Sequence, residues 1–295
     1  MSLTLPAPVR SPRLSAPPPA RGRRGGPLRR VALYTLLVGL GAAVLIPFLW
    51  MLVSSLKRDN EVFTVPIQWI PEEFQWGNYS RIWQEIPLGT YLSNSLILAV
   101  SITLLQVLTG SFAAYGFAKV RFPGRDALFL AYVATIAVPW QAYMVPQYIL
   151  MEKAGLVNTR TSLILLQAFG AFGVFLMRQF YLSIPDELIE AARIDGLNEF
   201  GIWARIALPL SKPALASLAL LTFVNTWNDY MGPFIYLTSN ELWTVQIGLR
   251  SFVGVYDSEY AMIMTGSVIS VLPILAVFLL GQRYFVQGVA TTGMK

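Results

Sequence analysis

The 295-residue chain contains no cysteine and no histidine. Disulfides, thiol catalysis, histidine-ligated metals and imidazole acid–base chemistry are thereby excluded, and no metal site is expected. Charge is scarce too: Asp, Glu, Lys and Arg supply 13% of residues, against roughly a quarter in soluble domains. No GxxxxGK[ST] phosphate loop occurs, so any ATP hydrolysis has to come from another polypeptide. What is present is apolar. Hydrophobic residues make up 55% of the chain and mean hydropathy is +0.55, the composition of an all-α polytopic membrane protein.

Acids are missing altogether from the first thirty positions, which hold seven arginines and seven prolines. Residues 1–30 cannot bury a core and are predicted to be a disordered cytoplasmic tail. The apolar stretch that follows is span-length, longer than a signal-peptide core, so an uncleaved anchor is expected. The net charge of +6 therefore reads as a topology signal and not as nucleic-acid binding. Contact of the tail with anionic membrane lipid is the simplest use for its arginines.

Residues 31–295 read as one transmembrane domain of six helices, over about 31–56, 91–117, 127–150, 161–177, 214–236 and 262–280. Small residues in the second span (Ser101, Gly110, Ser111, Ala113, Ala114, Gly116) suit close helix packing. Trp69, Trp76 and Trp83 lie in an acidic loop that reads as external. With both termini inside, the cytoplasmic segments hold 16 Lys and Arg and the external loops 6. The positive-inside rule selects this orientation and puts the loop at 183–213 in the cytoplasm.

That loop is the most polar, helix-forming segment of the chain's middle. Pro185 sits in a first turn, with Ser183 and Asp186 forming a capping pattern around it. Gly196 follows Asp195 where a left-handed cap is expected. Asn198 and Glu199 open a second short helix, which Pro209 and Pro213 close. Ala191, Ala192 and Gly196 allow close backbone approach, while Glu190, Arg193 and Asp195 can pair with charges on a partner. An amphipathic hairpin lying in the interface is the competing structural reading.

Two clusters of polar residues fall within spans, where such groups are costly and usually face the bundle interior. Asn225, Asn228 and Asp229 are spaced to share one helix face, and with Trp227 and Tyr230 they combine hydrogen-bonding groups with flat apolar surfaces, the ingredients of a sugar-binding wall. Gln141, with Trp140 and Tyr143, lies between Pro139 and Pro146 in the third span, whose prolines predict a kink. Helix–helix glue is the alternative for both clusters. Asp229 has no second acid at similar depth, which argues against a proton-driven carrier.

The spacing Glu190-Ala191-Ala192, three residues, Gly196, nine residues, Ile206, one residue, Leu208-Pro209 resembles, position by position, the EAA loop of ABC-importer permeases. Asn78-Tyr79, Tyr91, Asn94-Ser95, the prolines at 139 and 146, residues Gly155 to Thr159, and Trp227-Asn228 followed by Pro233 are similar to carbohydrate importers. Leu197 departs from the pattern, standing where a smaller residue is commoner. The resemblance covers about residues 31–295. It implies that Glu190, Ala191, Ala192, Arg193, Asp195, Gly196, Ile206, Leu208 and Pro209 form a coupling element that docks on a cytoplasmic ATPase. It also implies one half of a heterodimeric permease in a bacterial cytoplasmic (inner) membrane. A second permease subunit, two ATPase subunits carrying ATP and Mg, and an external sugar-binding protein complete that machine, with no cofactor on this chain. Glycerol phosphate or another small polar solute is the alternative cargo, and a non-transport docking protein the alternative role.

Overall fold

The computed structural model describes residues 27–254 and 258–292. In chain order the helices are α1 (Pro27–Ser54), α2 (Asp59–Val62), α3 (Asn78–Glu85), α4 (Leu88–Lys119), α5 (Arg125–Ala134), α6 (Met144–Lys153), α7 (Arg160–Gln167) and α8 (Ala171–Leu182). They continue with α9 (Asp186–Ile194), α10 (Glu199–Ile202), α11 (Leu208–Leu210), α12 (Lys212–Trp227), α13 (Met231–Tyr236), α14 (Val245–Arg250) and α15 (Tyr260–Thr292). One isolated antiparallel bridge joins Val253 to Ser258. The protein is an all-α polytopic fold. It divides into two units, Met1–Phe48 and Leu49–Lys295. In the first, the described residues are α1 from Pro27 onward, so the helix starts before the expected Val31. The rest of the tail expected to be disordered lies outside the described residues.

Six single spans were expected, and the helices are arranged differently. Among the described residues, four stretches are long and apolar enough to cross a membrane: Arg30–Ser54, Leu88–Lys119, Arg160–Leu182 and Tyr260–Arg283. A fifth arises if Glu199–Leu210 and Lys212–Trp227, bent by 82°, count as one. The third expected span is not one helix but α5 and α6, separated by the 3-10 turns Thr135–Ala137 and Trp140–Ala142. Pro139 causes the break: it lacks an N–H, and it holds Val138 extended at φ −84°, ψ 114°. The fifth ends early at Trp227. There the Asn228 amide turns back to donate to the Val224 carbonyl (2.9 Å), competing with helix continuation.

The second unit is built on α4. Gly110 of α4 lies against Gly173 of α8, where an added Cβ would sit 3.5 Å from the Gly173 carbonyl carbon. This is the close approach that small residues permit. One core joins α4 and α8 to the helix-turn-helix through Ala114, Met177, Ile189, Ala192, Ile202 and Ala207. A second joins α3, α4, α12, α14 and α15 through Ile82, Tyr91, Phe223, Trp227, Val245 and Met262. The loops are tied by side-chain amides. Asn78 Nδ2 donates to the Ser55 and Lys57 carbonyls at 3.0 Å each. Asn94 Nδ2 donates to the Glu241 and Trp243 carbonyls. Asn158 takes a left-handed φ of 60°, and its Oδ1 accepts from the Thr238 and Ser239 amides.

Candidate functional sites: a polar cavity and an exposed helix-turn-helix

A cavity of about 450 Å3 opens where helices are interrupted. Trp140 and Tyr143 come from the break between α5 and α6, Phe169 from the break between α7 and α8, and Asp229 from the break between α12 and α13. Interruptions at membrane depth free backbone groups, which are tolerated where they line a cavity and find new partners. Here α4 supplies the partners. Gln106 Nε2 donates to the Gln167 carbonyl (2.7 Å) and Thr109 Oγ1 to the Ala168 carbonyl (2.7 Å). A chain of side chains continues from there. Thr222 Oγ1 donates to Gln106 Oε1 (3.2 Å), and Gln167 Nε2 donates to Asp229 Oδ2 (3.1 Å). Asp229 Oδ1 also accepts from the Gly232 N–H (3.1 Å), so both carboxylate oxygens are held. Trp140 Nε1 donates to Gln147 Oε1 (3.0 Å).

Of the residues singled out in the spans, Trp140, Tyr143, Asn225 and Asp229 line this cavity, while Gln141, Trp227, Asn228 and Tyr230 do not. The shared helix face expected for Asn225, Asn228 and Asp229 does not form, because α12 stops before the last two. Trp227 is 1% exposed, stacks on Phe223 at 5.8 Å and donates to the Ser270 carbonyl (3.1 Å), which ties α12 to α15. Tyr230 stacks on Phe234 at 5.3 Å. Gln141 is exposed. Sequence reasoning passed over Gln106, Gln147 and Gln167, although each is a polar residue within an apolar stretch, the signal that drew attention to Asn225. It also passed over Tyr236, which lines the cavity.

At the other end of α4 sits the helix-turn-helix. Its left-handed cap forms as the sequence predicts: Gly196 has φ 84°, its N–H donates to the Arg193 carbonyl (3.1 Å), and the Leu197 N–H donates to the Ala192 carbonyl (3.0 Å). These are the paired bonds of a Schellman motif. Asn198 caps α10, accepting from the Gly201 N–H at 2.7 Å. The entry differs from expectation. Ser183 Oγ donates backward to the Phe180 carbonyl (2.7 Å) and caps nothing ahead, and Pro185 occupies the N-cap position, not the first turn. The exit differs too, since Pro209 lies within α11 and Pro213 begins α12. Between α10 and α11, Trp203–Ala207 forms a π-helical turn, which carries Ile206. Glu190, Ala191, Arg193, Asp195, Gly196 and Pro209 are exposed, Ile206 and Leu208 are half-buried, and Ala192 is buried with Ile189.

One turn of α4 grips this element at three points. Lys119, whose side chain is 4% exposed, donates to the Ile184 carbonyl and to Asp186 Oδ1, both at 2.6 Å. The Lys119 carbonyl accepts from Arg193 (3.3 Å) at the far end of α9. Arg193 Nε donates to Glu199 Oε1 (2.8 Å), and Glu199 Oε2 accepts from the Tyr115 hydroxyl (2.8 Å). The bond from Lys119 and its charge hold the Asp186 carboxyl below its ordinary range. Burial pushes the Glu199 carboxyl up, but the hydrogen bonds from Arg193 and Tyr115 and the Arg193 charge outweigh it, so the carboxyl titrates lower. Residues held this firmly still leave a face open. Ile194 is 87% exposed and Leu188 is exposed beside Glu190 and Glu187.

Apolar helices around a polar cavity, with an exposed helix-turn-helix at one end, form an architecture suited to a membrane permease. The chain belongs to the family of binding-protein-dependent transport system inner membrane components, which matches residues 106–291. It is 36% identical to the arabinooligosaccharides transport system permease protein AraQ of Halalkalibacterium halodurans, over 84% of this chain and 90% of that one. To the diacetylchitobiose uptake system permease protein NgcG of Streptomyces coelicolor it is 32% identical, over 85% and 84%. To the sn-glycerol-3-phosphate transport system permease protein UgpE of Pectobacterium atrosepticum it is 34% identical, over 86% and 92%. The fold matches that of a solved bacterial ABC transporter involved in import of the acidic polysaccharide alginate, with a TM-score of 0.75 and 24% identity over 88% of this chain and 96% of that one. The chain is thus a multi-pass inner-membrane permease subunit and not an enzyme. Its family works with a partner permease, an ATPase and a binding protein.

Proposed function

We propose that this chain forms part of the passage through which an ATP-driven importer brings a sugar or oligosaccharide into the cytoplasm. Glu190, Ala191, Arg193, Asp195 and Gly196 present the docking face for a cytoplasmic ATPase, with Ala192 packed beneath them in the core, and Ile206, Leu208 and Pro209 set its second helix behind it. Trp140, Tyr143, Asn225 and Asp229 belong to the passage. Both termini lie in the cytoplasm, where the positive-inside rule places them. Two ATPase subunits hold ATP and Mg, a second permease completes the passage, and an external binding protein delivers the sugar.

The observation that carries this reading is that one helix serves both sites. Gln106 of α4 borders the cavity, and Tyr115 and Lys119 of the same helix grip the helix-turn-helix. At 1.5 Å per residue the two ends are about 20 Å apart. Motion of a docked α9 is thereby passed along a single rigid rod to the wall of the cavity. The test is affinity purification of the tagged chain from its native membrane in mild detergent, with mass spectrometry of its companions. An ATPase and a second permease are expected. Recovery of the chain alone, even after crosslinking at position 190, refutes the docking role.

A further inference from the structure

One uncharged stretch outside the helices carries a group of large apolar side chains that no other part of the described chain covers. No Asp, Glu, Lys or Arg occurs between Glu61 and Glu72. Within that stretch Phe63, Val65, Ile67, Trp69 and Ile70 are each more than half exposed, and Val65 is 98% exposed. Apolar surface gathered this densely marks contact with a protein or a membrane.

The segment is tied down at a definite depth. Trp69 packs edge-on against Trp50 near the end of α1, with ring centres 5.3 Å apart. Lys57 lies over the same Trp50 ring at 4.4 Å and donates to the Gln68 carbonyl. The twenty residues from Val31 to Trp50 rise about 30 Å as a helix, which is about the thickness of the hydrocarbon layer. With Arg30 at the inner boundary, Trp50 falls at the outer one, and Trp69 falls beside it. Tryptophan favours that level of a membrane.

Backbone and side chains make opposite demands here. Among the described residues, no backbone–backbone hydrogen bond engages residues 64–73. Free N–H and C=O groups exclude the hydrocarbon core, and a dry protein contact leaves them equally unpaired. The exposed apolar side chains, in turn, are unfavourable in bulk water. The headgroup layer meets both demands, with water for the backbone and acyl chains for the side chains.

We infer that residues 63–70 lie in the outer headgroup layer of the membrane, with their apolar side chains against the lipid, and hold the outer end of α1 at its depth. The choice of leaflet rests on the orientation proposed above; the lipid contact does not. The test uses the complex purified through this chain, in nanodiscs of phosphatidylethanolamine and phosphatidylglycerol. The chain has no native cysteine, so a nitroxide is attached through Val65→Cys or, as a control, through Glu72→Cys, with the parent complex treated alike as background. At position 65, collisions with oxygen are expected to exceed those with a water-soluble nickel chelate severalfold, and at the exposed position 72 the order is expected to reverse. Ile70→Cys, at a site 75% exposed, gives the same reading if Val65→Cys fails to assemble. Nickel access at 65 equal to that at 72 overturns the inference by placing the segment in water. Shielding from both reagents overturns it by placing a protein there. A reversed orientation shows separately, as protection of Glu72→Cys from a membrane-impermeant maleimide in spheroplasts.

Discussion

Replacing Lys119 with methionine should loosen the helix-turn-helix without unfolding the protein. Methionine fills nearly the same space but leaves the Ile184 carbonyl without its 2.6 Å donor. An unpaired buried carbonyl costs about 1–3 kcal/mol. The lost pair with Asp186 adds little, since that carboxylate is 69% exposed and exposed pairs contribute about 0–1 kcal/mol. Relief from burying an ammonium works the other way. A net loss of about 1–2 kcal/mol follows, small against the roughly 5–15 kcal/mol that holds a fold. It is still enough to raise the detached population of α9 by about tenfold. The chain has no native cysteine, so a nitroxide attached through Ile194→Cys reports on α9 alone. Its spectrum should show greater mobility in Lys119→Met than in the parent, with Lys119→Arg close to the parent. In the complex the same variant should keep hydrolysing ATP while uptake falls. An unchanged spectrum in Lys119→Met would refute the clamp.

The pH response of that label has a definite sign. The Asp186 carboxyl titrates below its ordinary value near 3.8, so its bond to Lys119 is fully present above that value and is lost as pH falls through the lower folded one; mobility should be flat from pH 8 to 5 and rise only below about 4. Gly196→Ala should cost about 1–2 kcal/mol in thermal stability, through the left-handed φ alone, because an added Cβ meets nothing within 4 Å; Gly196→Asn should recover part of it, and equal melting of Gly196→Ala and the parent would count against that account. Gly248→Ala should be worse, about 1–3 kcal/mol, since its Cβ would fall 2.2 Å from the Tyr91 ring, which its bond to Asn240 holds in place; a normal yield and melting temperature in detergent would contradict this packing. Removing the exposed Arg193–Glu199 pair in a double-mutant cycle should show a coupling of at most about 1 kcal/mol.

Local order was legible in the sequence wherever a neighbour a few residues away decides it. Gly196 at a left-handed cap, Asn198 at an N-cap, a span over about 91–117 and the small residues of α4 all follow from propensity, period and composition. The spacing of Glu190, Ala191, Ala192, Gly196, Ile206, Leu208 and Pro209 identified the family. Long-range placement was not legible. Trp227 and Asn225 stand two residues apart in one polar string, yet one is sealed against Ser270 and the other opens on the cavity. Which side of a helix faces the core depends on what packs there. The proline of the third span announced a kink, but the full break, and the 3-10 turns that put Trp140 and Tyr143 on the cavity, depend on other helices accepting the freed backbone. Gln106, Gln167 and Asp229 lie 61 to 123 positions apart, and no local signal links them. Lys119 looked like part of a basic loop, and only the approach of Ile184 and Asp186 makes it a buried anchor. Hydropathy and spacing thus determined that the chain enters a membrane and which family it joins. The tertiary structure decided which polar groups meet, because that depends on helices brought together across the whole length of the chain.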